Sequence, residues 1–245
     1  LIEYEQLIDK IRRRGLKANV SIKLTHLGLE LSFGYCFNIV KKLIGCARRN
    51  NIGIEFDMEE FKYNAETIEI FQSLSRPTDR NRICLQANIF KSVADLTVLH
   101  EWGHSTRLVR GAYEESFDVI RQDRLNIKES FVSLIDLAIS LIARDWLNNI
   151  SGPKHAIGTR DKETINHVRR LIESLSLDKN RIEFQLLYGY LALGRQLLNG
   201  DYPVRIYLPY GDDQAALPYV WRRLKTPHTW KLFLDWLLNL DKIRK

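Results

Sequence analysis

Cysteine is scarce in this chain, with three residues in 245. An odd count with no CxxC pair excludes a disulfide scaffold. Cys36, Cys46 and Cys84 stand in apolar surroundings and read as reduced, buried, structural thiols of a reducing compartment. Long apolar runs are missing too: the longest, Ser133 to Ala143, is broken by Asp136 and falls short of the roughly 18 residues a membrane span needs. No GxGxxG follows an apolar run, which disfavours a nicotinamide dinucleotide fold. No low-complexity linker or composition break divides the chain, so one domain over residues 1–245 is expected. The first residue is Leu, and no charged-then-apolar leader follows it, which reads as an internal or trimmed start.

What is present is an ordinary globular composition, 45% hydrophobic and 27% charged, which excludes disorder and collagen. Lys and Arg outnumber Asp and Glu by 37 to 30, a net charge of +7. The basic pairs and triplets (Arg12-Arg13-Arg14, Lys41-Lys42, Arg48-Arg49, Arg169-Arg170) fall on amphipathic helical patterns and read as solvated outer faces. No aromatics interleave a basic run, so a nucleic-acid partner is not expected.

Short apolar runs alternate with longer helical patterns. The runs suggest strands at 19–24, 52–57, 82–87, 106–110, 155–159, 181–186 and 204–208. Helical spacing predicts helices over 1–14, 35–49, 65–75, 94–103, 127–148, 162–175 and 191–198, with Gly15 and Gly103 as stops and Asp161 as a cap. Strand–helix alternation means βαβ units and a parallel sheet. Seven strands suit an open doubly wound sheet, whereas a closed (β/α)8 barrel needs one more. The polar residues favour the barrel. Lys23, Asp57, Gln86, Arg107, Thr159, Gln185 and Tyr207 each lie in or at the carboxyl-terminal part of a predicted strand, where barrels carry their chemistry.

Six ordered segments are more specific: Val20-Ser-Ile-Lys-Leu24, Phe56-Asp-Met-Glu59, Leu85-Gln-Ala87, Arg107-Leu-Val-Arg-Gly-Ala-Tyr113, Glu183-Phe-Gln-Leu-Leu-Tyr-Gly189, and Arg205-Ile-Tyr-Leu-Pro-Tyr-Gly211 with Tyr219-Val-Trp-Arg-Arg-Leu224. Together they resemble the proline dehydrogenase family, in its monofunctional bacterial form. The resemblance implies a TIM-like α/β barrel binding FAD, here lacking the N-terminal helices and first strand. It implies oxidation of L-proline to 1-pyrroline-5-carboxylate by hydride transfer from C5 to FAD, with a quinone as electron acceptor. It further implies a cytoplasmic protein with peripheral contact at the inner face of the membrane. By the same resemblance Arg222 and Arg223 grip the proline carboxylate, Lys23 adds a cation and Asp57 holds Lys23. Leu108, Tyr113, Leu187, Tyr207 and Tyr219 wall the substrate ring, and Gln86, Arg107, Val109, Gly111, Thr159 and Arg160 contact the flavin. A guanidinium fork suits a carboxylate, and an arginine beside the reduced flavin stabilises its negative charge. Lys23, Asp57, Arg107 and Tyr207 form the expected catalytic group.

The chain departs from the family pattern at Arg160, where His is usual, at Arg110, where Lys is usual, and at Thr226, where an acidic residue is common. A degenerate, non-catalytic barrel is one alternative. The other is a zinc peptidase, because His100-Glu-Trp-Gly-His104 fits H-E-x-x-H. That motif needs a continuous helix, and Gly103 reads as a stop, so no metal is expected and the histidines read as exposed turn residues.

Overall fold

The computed structural model describes residues 1–111, 113, 115, 116, 118–120, 123–208 and 210. Expected site residues Tyr219, Arg222 and Arg223, and the departure at Thr226, lie outside them. The chain alternates helices and strands: α1 (Ile2–Arg13), β1 (Val20–Ile22), α2 (Phe33–Arg49), β2 (Ile54–Phe56), α3 (Asn64–Leu74), β3 (Arg82–Gln86), α4 (Ser92–Glu101), β4 (Ser105–Val109), α5 (Arg124–Leu147), β5 (His155–Gly158), α6 (Lys162–Ser174), β6 (Ile182–Leu187), α7 (Leu191–Leu198) and β7 (Val204–Tyr207). Every predicted element is present, with ends shifted by a few residues. The largest shift is at α5, which starts three residues early because the Asp123 carboxylate caps it through the Leu125 amide (2.9 Å).

All seven strands form one parallel sheet in sequential order, β1 to β7. Among the described residues β1 and β7 are each paired on one side only. The sheet nevertheless curls, because side chains of β7 meet those of β2 across the interior: Tyr207 Oη donates to Asp57 Oδ2 at 3.4 Å. On the open side Lys10 of α1 donates to Tyr210, just after β7 (3.1 Å). Among the described residues the fold is thus a curled seven-stranded parallel sheet flanked by helices, an α/β half-barrel of the TIM-like type. No described helix is long and apolar enough to cross a membrane.

The strands are not the uniformly apolar runs expected of a parallel sheet. They alternate. Ile22, Ile54, Phe56, Ile83, Leu85, Ile157, Phe184 and Leu186 face outward and are buried against the helices. Phe56, for example, meets Phe71 of α3 edge-on at 5.1 Å. Ser21, Glu55, Asp57, Arg82, Gln86, Arg107, Glu183, Gln185, Arg205 and Tyr207 occupy the alternate positions and fill the interior. The apolar core therefore lies between sheet and helices, and the barrel lumen is polar.

Candidate functional site

Two stacked polar layers occupy the lumen. The upper one, at the carboxyl ends of the strands, is centred on Asp57. Its Oδ1 accepts from Ser21 Oγ (2.6 Å) and from Arg107 Nη2, and its Oδ2 accepts from Lys23 Nζ (3.0 Å) and Tyr207 Oη. Residues in and one past β1, in mid-β4 and at the end of β7 thus converge on one carboxylate, itself one past β2. The lower layer joins Glu55 and Glu183 to Arg82, Arg205 and Gln185. Arg82 Nη1 bridges the two glutamates at 3.0 and 2.8 Å, and Arg205 forks onto Glu183 at 3.0 and 2.9 Å. Arg107 spans both layers, with Nη1 on Glu55 at 3.2 Å.

This arrangement fixes protonation. Burial alone would raise the Asp57 carboxyl, but Arg107, Lys23 and the Ser21 hydroxyl reverse that and hold it at about 2. Burial would lower Lys23, yet Asp57 raises it above its ordinary value, so the ammonium persists. Burial and the Asp57 charge push the Tyr207 phenol to about 12. Burial would raise Glu183 as well, and Arg205 and Arg82 bring it down to about 2. Four lumen cations, Lys23, Arg82, Arg107 and Arg205, thus face Glu55, Asp57 and Glu183, with a fourth buried carboxylate, Glu59, held by Thr25 at the upper rim.

The other expected site residues are distributed as follows. Leu187 pairs with Tyr207 in the β6–β7 register, on the lumen side. Tyr113 lies within electrostatic reach of Lys23. Gln86 donates its amide to the Glu59 carbonyl (2.8 Å) at the upper rim. The Val109 carbonyl accepts from the Ala87 amide at 2.8 Å. Thr159 Oγ1 accepts from the Asp161 amide (3.1 Å), shaping the turn into α6. Arg160 bonds the Tyr190 hydroxyl and lies 5.4 Å from that ring. Gly111 has φ +100°, and a Cβ there would fall 1.8 Å from Asn88 Oδ1, so close packing on Asn88 demands the glycine.

Leu108 is a correction. It alternates with Arg107 and Val109 and shares the face of Thr106, so it is buried in the helix-facing core instead of walling the lumen. The histidines are another, since both are buried, not exposed. α4 ends at Glu101, Gly103 takes φ +77° as the stop, and His104 packs edge-on against Phe71 at 5.1 Å. His100 instead joins His155 (2.8 Å) and Asp145 (3.0 Å) between sheet and helices. Thr106 N–H can only donate, so His155 Nδ1 accepts. The ring then donates from Nε2 to His100 Nδ1, and His100 Nε2 donates to Asp145. Both nitrogens of His100 are committed and His104 points elsewhere, which leaves no zinc pair.

Sequence reasoning missed the roles of Ser21, Glu55, Arg82, Glu183 and Arg205. Each stands two positions before a lumen residue it did find, or begins such a strand, so period-two spacing carries the signal.

A curled parallel α/β sheet with a densely paired ionic cluster at the carboxyl ends of its strands defines the class. The proline dehydrogenase family description matches residues 1–226, and the chain belongs to that family. Proline dehydrogenase 1 of Bacillus subtilis strain 168 is 27% identical over 223 residues, 91% of this chain and 70% of that protein. The proline dehydrogenase of Deinococcus radiodurans is 29% identical over 229 residues, again 91% and 70%. In fold, the chain matches proline utilization A from Bdellovibrio bacteriovorus, inactivated by N-propargylglycine, with a TM-score of 0.77 at 18% identity. That match covers 93% of this chain and 28% of the larger protein.

Proposed function

We propose that the protein oxidises L-proline to 1-pyrroline-5-carboxylate in proline catabolism, using FAD and passing electrons to a quinone. The observation that carries this is the convergence of Lys23, Arg107 and Tyr207 on Asp57 at the carboxyl-end mouth of the lumen. A carboxylate substrate or an anionic reduced cofactor suits fixed cations such as Lys23 and Arg107 at that mouth. The residues also fit a flavin. Buried Arg107 Nε has no hydrogen-bond partner, and Gln86 and Val109 line the same rim. Bound FAD would supply the hydride acceptor for C5 of proline.

Within this reading Lys23, kept charged by Asp57, pairs with the proline carboxylate together with Arg222 and Arg223. Tyr207, a neutral phenol, closes one side of the ring pocket with Leu187, Tyr113 and Tyr219. Arg107 faces the flavin edge with Gln86, Val109, Gly111 and Thr159, while Arg160 offers a cation to a phosphate. Asp57 is saturated with donors, so it orients Lys23 and Arg107 and does not take a proton.

Purified protein is expected to take up FAD, show flavin bands in the near ultraviolet and blue, and bleach on adding L-proline. It should reduce a quinone or dye and not NAD. Arg222→Met or Arg223→Met should weaken proline binding by about 1.5–3 kcal/mol per charged hydrogen bond lost. Colourless protein that ignores added FAD would favour the degenerate barrel.

A further inference from the structure

The lower lumen layer has no part in the reaction proposed above, yet one of its carboxylates is bonded from all around the barrel. Glu55 accepts from Arg107 Nη1 (3.2 Å), Arg82 Nη1 (3.0 Å), Asn19 Nδ2 (3.2 Å) and Gln185 Nε2 (2.9 and 3.0 Å). Arg205 Nε stands at 3.9 Å. Arg107 has two terminal nitrogens, and each is held by a different carboxylate, Glu55 below and Asp57 beside it. Asp57 is shared with Ser21, Lys23 and Tyr207. A single shared carboxylate leaves a planar guanidinium free to pivot, whereas two anchors fix its plane. Glu55 cannot itself reorient, because its own donors come from β3, β4, β6 and the residue before β1.

We propose that Glu55 is a positioning residue for the candidate site: it locks the plane of Arg107 and offsets part of the positive charge that Arg107 presents at the mouth. The proposal rests on the flavin reading. If Arg107 stabilises reduced flavin, the charge of Glu55 opposes that stabilisation and sets how far it goes.

Glu55→Gln keeps the length of the side chain and an acceptor for Arg107 while removing the charge. In the full FAD-loaded chain, titrated anaerobically against a redox dye, the ratio of reduced to oxidised flavin at fixed poise should rise roughly tenfold. Glu183→Gln removes the same charge from the same layer, but Glu183 bonds Arg82 and Arg205 and not Arg107. Its ratio should stay within about twofold of the unaltered protein. Equal shifts in both variants, or none in Glu55→Gln, overturn the proposal. Glu55→Asp covers the case in which Glu55→Gln does not fold. It retains the charge but withdraws it by one methylene, so the FAD dissociation constant should rise roughly tenfold as the Arg107 bond is lost. An unchanged constant overturns the proposal equally. Failure of the unaltered chain to bind FAD overturns the flavin reading and this one together, whereas binding with unshifted variants overturns this one alone.

Discussion

Asp57 shows how a single residue can govern a site without doing proton chemistry. It is buried, yet ionised, because the two cations beside it outweigh the desolvation. Asp57→Ala would leave Arg107 and Lys23 in the lumen with one anchor fewer. Removing one partner of a buried ion pair costs about 3–5 kcal/mol, and urea unfolding of the two proteins measures the difference. At this scale the sequence was informative where a polar residue ended an apolar run, as at Lys23, Asp57 and Tyr207. It was misleading at Leu108, whose likeness to a pocket residue gave no hint of its parity along the strand. It was silent on Glu55, whose importance comes from hydrogen-bond partners as far along the chain as Gln185, 130 positions away.

Among elements, helices and strands were legible because spacing and caps are local. Asp161 caps α6 as expected, through the Glu163 amide. What spacing could not reveal was the contact between elements. His100 on α4, His155 on β5 and Asp145 on α5 become neighbours only when the layers stack, so from the sequence His100 read as an exposed turn residue. That cluster has a pH signature. Burial pushes both His100 and His155 below their ordinary value, His155 well below, with the charge of its partner His100 adding to the effect. The unfolded chain takes up protons below about 6.5, and the folded chain refuses them. Stability is therefore fully present above about pH 6.5 and declines as the pH falls below it. Urea midpoints measured between pH 8 and 5 should show this decline, and His155→Gln should flatten it.

For the whole molecule, Asp57 and Glu183 add a second acid limb. Both sit at about 2 in the folded state, below the ordinary carboxylate values near 4 of an unfolded chain. Their contribution is complete above about pH 4.5 and is lost as the pH falls toward 2, so unfolding followed to low pH should show a further drop there, below the histidine one. The sequential order of the sheet has a further consequence, for the timetable of assembly. Each strand's hydrogen-bonding neighbour is the strand before it, so the sheet can lengthen strand by strand as the chain emerges, with no early strand waiting for a distant partner. The lumen contacts keep a different schedule. Asp57 meets Tyr207, 150 positions further along the chain, and Glu55 meets Gln185, 130 positions further along. The scaffold can thus be nearly finished while the Asp57 cluster does not yet exist, and β7 supplies its final described member, Tyr207.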